Sequence, residues 1–251
     1  MTERRRFLRN ALLASAGAVL AGCDQISQSR TGAAVLSSAE GLTRRAQQVL
    51  SPSGLLAPEY SEADISPVFR PNGTTMPATV DYQNLLANNF ADYRLRVDGL
   101  VQRPGQFSIA QLQALATRTQ ITRHDCVEGW SAIGKWQGTP LAAVLSQVGV
   151  AAQARYVVFH CFDEMEADTP YYESLDIVEA HHPQTLLAYS LNGQPLPVAN
   201  GAPLRLRVER QLGYKQAKYI SRIELVSSFA KIGGGNGGYW EDNGYEWYAG
   251  I

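Results

Sequence analysis

The chain has 251 residues, enough for one large domain or two small ones with a sizeable core. Its 22 basic and 23 acidic side chains nearly balance, which leaves no broad electrostatic footprint for nucleic acid. Three cysteines cannot all pair within one chain, and their spacing fits neither a zinc site nor a disulfide framework.

The N-terminus reads Arg4-Arg5-Arg6-Phe7-Leu8-Arg9, followed by the uncharged run Ala11 to Gly22. A basic stretch, a short apolar run and small residues before a cleavage point describe an export signal. The run is shorter than the roughly 20 apolar residues of a spanning helix. The arginine pair ahead of Phe7-Leu8 resembles the twin-arginine translocation signal, the usual route for proteins that take up a cofactor before export. Leu20-Ala21-Gly22-Cys23 resembles a bacterial lipobox, which makes Cys23 a lipid anchor, and Asp24 after it favours retention at the inner membrane. An ordinary cleaved signal with an incidental Cys23 is the alternative. The expected organisation is a signal over 1–23, a tether over 24–66 and one body over 67–251. A short helix is predicted within Ser38 to Leu50.

Arg70-Pro71-Asn72-Gly73 opens the body as a loop, because Pro and Asn-Gly both favour turns. Leu95 to Val101 alternates with period two and is predicted as a strand before a Pro104-Gly105 turn. Ser108 and Gln111 form a capping-box pair for a helix from Ile109 to about Ala116. Ile121 to Arg123 reads as extended. Thr139 as N-cap and Pro140 at the first helical position begin an amphipathic helix that buries Leu141, Val144, Leu145 and Val148 and stops at Gly149.

Tyr156 to Phe159 is a strand too apolar for a half-exposed surface. Ser174 is expected to cap a short helix through Ala180, with His181 and His182 as its end before Pro183. Thr185 to Leu191 is an apolar strand closed by an Asn192-Gly193 hairpin turn. Leu204, Leu206 and Val208 alternate with Arg205, Arg207 and Glu209, giving a strand with one charged face. Tyr219 to Val226 is a further strand. The run Gly233 to Gly238 then leads to Tyr239, Trp240, Tyr245, Trp247 and Tyr248, either a flexible arm with a packed aromatic end or a segment that closes over a site. Strands outnumber helices without a regular βα alternation, so the expected class is α+β with mixed β-sheets and short helices.

Cys126 sits among His124, Asp125, Glu128 and Trp130 just before the best-marked helix start. Three fates are open to it: a buried structural thiol, a nucleophile paired with His124, or a soft metal ligand. One thiolate alone cannot hold a metal tightly, so the third demands a cofactor and a surface to bind it.

Cys126-Val127-Glu128-Gly129-Trp130-Ser131 followed by Trp136-Gln137-Gly138-Thr139-Pro140-Leu141 resembles the molybdenum-ligand segment of the sulfite oxidase superfamily, in its branch of periplasmic methionine-sulfoxide reductase catalytic subunits. Similar segments follow in family order at Ala154 to Phe159, His182 to Leu186, Pro197 to Arg205 and Leu212 to Lys218. The resemblance implies a sulfite oxidase-like fold and a molybdenum-molybdopterin cofactor with Cys126 as the protein ligand to the metal. It implies cofactor contacts at Asn72, Cys161, Asn200, Arg205, Gln216, Ala217 and Lys218, with Lys215 close by. It also implies two-electron oxygen-atom transfer. Sulfite-oxidising relatives carry a basic pair after the ligand cysteine, whereas Glu128 and Trp130 stand here. The expected reaction is therefore reduction of a small-molecule or protein-bound S- or N-oxide, with electrons from a separate membrane haem or quinone-linked protein. Sulfite oxidation, and a non-enzymatic lipoprotein keeping the fold as a binding module, are the alternatives. His124, Asp125 and Glu128 are candidates, by position, for lining the pocket or moving protons.

Overall fold

The computed structural model describes residues 54–166 and 169–251, with Ser29 and Leu42. Apart from those two, the described residues belong to one compact unit, Pro52–Ile251. The export signal, Cys23 and, Leu42 aside, the helix expected within Ser38 to Leu50 lie outside the described residues.

The first sheet has the order β2 (Gly105–Phe107), β1 (Leu95–Gly99), β10 (Ile220–Val226), β5 (Tyr156–Glu166) and β6 (Thr169–Asp176). Its β1 and β10 run parallel while the other pairs are antiparallel. The second sheet has the order β3 (Arg118–Cys126), β4 (Trp130–Pro140), β7 (Leu186–Leu191) and β8 (Gln194–Pro195), with β9 (Arg205–Arg207) also paired to β7. All its described pairs are antiparallel. Short helices complete the unit: α1 (Val80–Ala87), α2 (Ile109–Leu115), α3 (Leu141–Val148), α4 (Ile177–Ala180) and α5 (Tyr239–Asp242). The mixed α+β class is as expected. One core joins both sheets, with Leu95, Val97, Phe159 and Ile223 from the first and Leu187 and Leu206 from the second, around Leu141 and Leu145 of α3.

One capping box and two turns form as expected. Ser108 and Gln111 satisfy each other's backbone N–H at the start of α2. Gly149 ends α3 at φ +69°, and Asn192-Gly193 turns at φ +52° and +77°. Three expectations are corrected. Thr139 is the penultimate residue of β4, not an N-cap; its hydroxyl donates to Leu112 O at 2.7 Å, and Pro140 flanks α3 instead. Asp176, not Ser174, caps α4 by accepting from Glu179 N–H at 2.7 Å. Residues 57–66, expected as tether, dock on the body: Tyr60 N–H donates to Ile121 O at 2.8 Å and Ser66 N–H to Ile133 O at 3.0 Å.

Candidate functional site

The β3–β4 hairpin is in continuous register from Arg118↔Gly138 to Cys126↔Trp130. Val127-Glu128-Gly129 closes it, with Gly129 at φ +84° and its N–H donating to Cys126 O at 3.0 Å. Period-two alternation therefore puts Cys126 at the last inward position of β3, on the face shared by Gln120, Thr122 and His124. Burial pushes the Cys126 thiol above its ordinary value; the Glu128 carboxylate adds to this, while the Glu128 backbone N–H, Arg70 and Arg205 oppose it. A thiol held protonated is a weak nucleophile, whereas a bound metal cation would make it a thiolate.

Cys126 opens onto a cavity of about 160 Å³. Its mouth carries the exposed Val127, Glu128 and Tyr245; deeper lie Asp163, Gln216, Ala217 and Lys218, all buried. Loop residues Asn72, Gly73 and Thr74 form another wall. The Lys218 side chain ties that wall to its neighbours: Nζ donates to Asn72 O at 2.6 Å, to Ala199 O at 3.0 Å and to Thr74 O. Burial pulls Lys218 down to about 7, with Arg205 adding to the effect. Three carbonyl acceptors call for three donors, which only the ammonium form has. Tyr219, next in the chain, sits at φ +55°, a strained conformation for a bulky residue, and its hydroxyl also donates to Thr74 O, at 2.9 Å. Gly201 must be glycine here: at φ +112°, a Cβ would come within 3.0 Å of the Lys218 Cβ and 3.1 Å of the Arg205 Cβ.

Arg205 is fully buried, donating to Asn200 O at 2.9 Å, and lies 5.0 Å over the Trp136 ring. Burial, with Arg207 beside it, lowers Arg205 to about 9. A buried guanidinium next to another favours an anion in its vicinity. Asp163 shows the opposite case. Burial raises its carboxyl to about 6, against the pull of Lys218.

Behind Cys126 lies a buried polar ladder. Gln120 donates to Glu209 at 2.8 Å, Glu209 pairs with Arg207, and Arg207 Nη1 is 3.1 Å from His124 Nδ1. Gln216 Oε1 lies 3.3 Å from the same nitrogen; a guanidinium only donates and an amide oxygen only accepts, so Nδ1 bonds one or the other according to the tautomer. Burial foremost, then Arg207 and Arg205, holds His124 well below its usual value, so the ring is neutral. Its Nε2 faces Gly213, where a Cβ would come within 2.5 Å.

The structure thus brings Asn72, Cys126, Glu128, Gln216, Ala217 and Lys218 together around one cavity, while Arg205 reaches the Gln216 carbonyl and donates to Asn200 O behind that lining. Other expected residues stand elsewhere. Asp125 faces away from Cys126, pairing with Arg123 at 2.9 Å and accepting from Ser131 at 2.5 Å across the hairpin. Lys215 is fully buried and spends its charge on Glu173 and Glu241 rather than on the cavity. Cys161 is a free thiol in the core, one inward position along β5 from Asp163. Asp163, Met165, Tyr171, Tyr214 and Trp240 line the cavity without having been singled out for it in the sequence. Only the aromatic crowding after Gly238 hinted at Trp240.

Residues 82–231 match the family described as oxidoreductase molybdopterin binding domain. The chain belongs to that family. A putative protein-methionine-sulfoxide reductase subunit, YedZ1 of Azospira oryzae, is 38% identical over 250 residues, covering 100% of this chain and 88% of that protein. The protein-methionine-sulfoxide reductase catalytic subunit MsrP of Xanthomonas axonopodis pv. citri is 40% identical over 144 residues. That match takes in 53% of this chain and 45% of MsrP, so the chain spans less than half of MsrP. Among solved structures, the sulfane dehydrogenase SoxCD from Paracoccus pantotrophus superposes with a TM-score of 0.50 at 22% identity, over 55% of this chain and 39% of that one, a likeness of fold.

The residues present fit the molybdopterin that this family binds. Two buried acceptors on the cavity lining lack a partner, Asn72 Oδ1 and Asp163 Oδ1, as do the buried donors Arg205 Nε and Asn200 Nδ2 on residues linked to the lining through Gln216 O. Leaving such atoms unpaired costs about 1–3 kcal/mol each, and a pterin with donor and acceptor edges and an anionic phosphate offers partners of both kinds. This molybdopterin-binding oxidoreductase is an enzyme whose cavity is built to be completed by its cofactor.

Proposed function

We propose that the enzyme reduces a sulfoxide by two-electron oxygen-atom transfer, with Cys126 as the protein ligand to molybdenum. The observation that carries this is the placement of Cys126: a buried thiol at the end of a hairpin, lining a cavity whose wall holds the unpaired acceptors Asn72 Oδ1 and Asp163 Oδ1. The relatives from Azospira and Xanthomonas, both named as methionine-sulfoxide reductase subunits, suggest the substrate class. In this reading Asn72, Asn200 and Arg205 hold the pterin and its phosphate, while Lys218 fixes the loops that shape the pocket.

The cofactor, when bound, supplies the oxygen-accepting and electron-storing chemistry. The chain's part is orientation and protons. In the net reaction the S=O bond breaks, two protons and two electrons are taken up, and a sulfide and water leave. Asp163, raised to about 6, exchanges a proton closer to neutral pH than a free carboxyl does, inside the cavity. Glu128, held at the mouth by the Trp130 Nε1–H at 2.9 Å, stands between that interior and solvent. A carboxylate at the mouth disfavours a dianion such as sulfite.

The electrons come, in this proposal, from a membrane haem or quinone-linked protein. The enzyme is held beside it on the periplasmic face of the inner membrane by the lipidated Cys23. No helix among the described residues is long and apolar enough to cross a membrane. The test is metal and pterin analysis of protein matured in a molybdenum-competent host, then turnover with a reduced viologen. Wild type is expected to carry about one molybdenum per chain and to reduce sulfoxides, and Cys126→Ser to lose both. Metal-free wild type, or full molybdenum in the variant, refutes the assignment.

A further inference from the structure

The chain beyond residue 231 lies outside the matched family region, yet it supplies Trp240 and Tyr245 to the cavity wall. These two rings lie 5.2 Å apart at 33°, and Tyr245 meets Tyr214, another wall residue, edge-on at 5.1 Å and 90°. Tyr239 supports Trp240 from its other neighbours, at 5.3 Å and 84°. The cluster is thus a formed aromatic corner beside the mouth.

Its backing is firm. Lys215, from the same turn as Gln216, pairs with Glu241 of α5 and Glu173 of β6, all three side chains fully buried. Tyr214 OH donates to Glu246 O at 2.6 Å, and Tyr172 OH to Asp242 at 2.6 Å. The segment that carries the corner is therefore fixed to the loop that carries the cavity floor. Ring faces held in this way favour flat, polarisable groups and sulfur over small hydrated ones, and Met165 extends the same soft surface.

We propose that Trp240 and Tyr245 determine specificity, selecting sulfoxides that bear an aromatic or other flat apolar substituent over small dialkyl ones. The inference rests on the sulfoxide-reductase reading for its reaction, but the binding corner itself can be tested without turnover.

Holoenzyme with reduced viologen is compared on methyl phenyl sulfoxide and dimethyl sulfoxide. Wild type is expected to favour the aryl substrate in kcat/KM. Trp240→Ala is expected to lower that preference by about tenfold, mainly through KM, the order of loss that removing one stacked ring produces. Trp240→Phe is expected to restore most of it, and molybdenum content is expected to match wild type in both. Parallel loss on the two substrates, an unchanged preference, or loss of molybdenum would each overturn the proposal.

Methyl phenyl sulfone, which lacks a removable sulfoxide oxygen, provides a second readout by calorimetric titration. Its affinity is expected to fall about tenfold in Trp240→Ala and several-fold in Tyr245→Ala, whose half-exposed ring is a mild change should the first variant fail to fold. Equal affinity in wild type and the variants overturns the proposal. A wild type that binds the sulfone but reduces neither sulfoxide defeats the assigned reaction and leaves the binding corner standing.

Discussion

Asp163 and Gly213 show how single residues carry the site's electrostatics and space. Burial raises the Asp163 carboxyl from 3.8 to about 6, so the folded state holds a proton that the unfolded chain has released between those values. Its contribution to stability is complete below about pH 4 and is lost as pH rises through about 6. Asp163→Asn in cofactor-free protein is expected to match wild type at low pH and to exceed it by about 3 kcal/mol above pH 7, measured by urea unfolding across pH. A constant difference at all pH values would show that the carboxyl's ionisation is not the cause. At Gly213 the constraint is steric, since a Cβ would reach His124 Nε2 at 2.5 Å. Gly213→Ala is expected to cost about 1–3 kcal/mol and to lower molybdenum content, because Gln216, Ala217 and Lys218 follow in the same turn. Unchanged melting and metal content would contradict this.

At the scale of elements, β9 inverts a simple pattern. Alternation of Leu204, Leu206 and Val208 with Arg205, Arg207 and Glu209 identifies a strand and suggests a solvated charged face. Both faces are buried. The charged one is paired internally: Arg207 with Glu209, Glu209 with Gln120, and both arginines over Trp136. Sequence spacing cannot show this, because the partners come from β3 and β4, far away in the chain. Glu209→Ala leaves Arg207 buried without its counter-ion and is expected to destabilise by about 3–5 kcal/mol in urea unfolding. A loss under 1 kcal/mol would mean that Trp136 and His124 suffice. The strand β4 escaped notice for a related reason. Gly134 and Gly138 break its alternation, yet Gly138 is what lets β7 pass, since a Cβ there would lie 2.5 Å from Leu187 O.

At the scale of the molecule, the C-terminal segment closes the fold back onto the site. Leu212 N–H donates to Ala249 O at 2.9 Å, and Lys215 bridges Glu173 and Glu241. Burial foremost raises Glu173 well above the usual carboxylate range, Lys215 opposing and Glu241 adding. Gly238 leaves the room, for a Cβ there would lie 2.0 Å from a Glu241 oxygen. Lys215→Met is expected to speed hydrogen exchange across 232–251 far more than in β1 and β10; uniform or unchanged exchange would show that the aromatic contacts alone hold the segment.

The sequence by itself determined the class of fold and the cofactor, because turn residues and ordered family motifs are local and read without a partner. It also marked Asn72, Gln216, Ala217 and Lys218, which do meet around one cavity. Only the tertiary structure decided which charges face that cavity. Asp125 turns away by strand alternation in the hairpin, Lys215 is consumed by carboxylates from two distant elements, and Asp163, Trp240 and Tyr245 arrive from segments that carry no motif. Charge placement depends on which strands and turns come together, and that is a property of the assembled sheets.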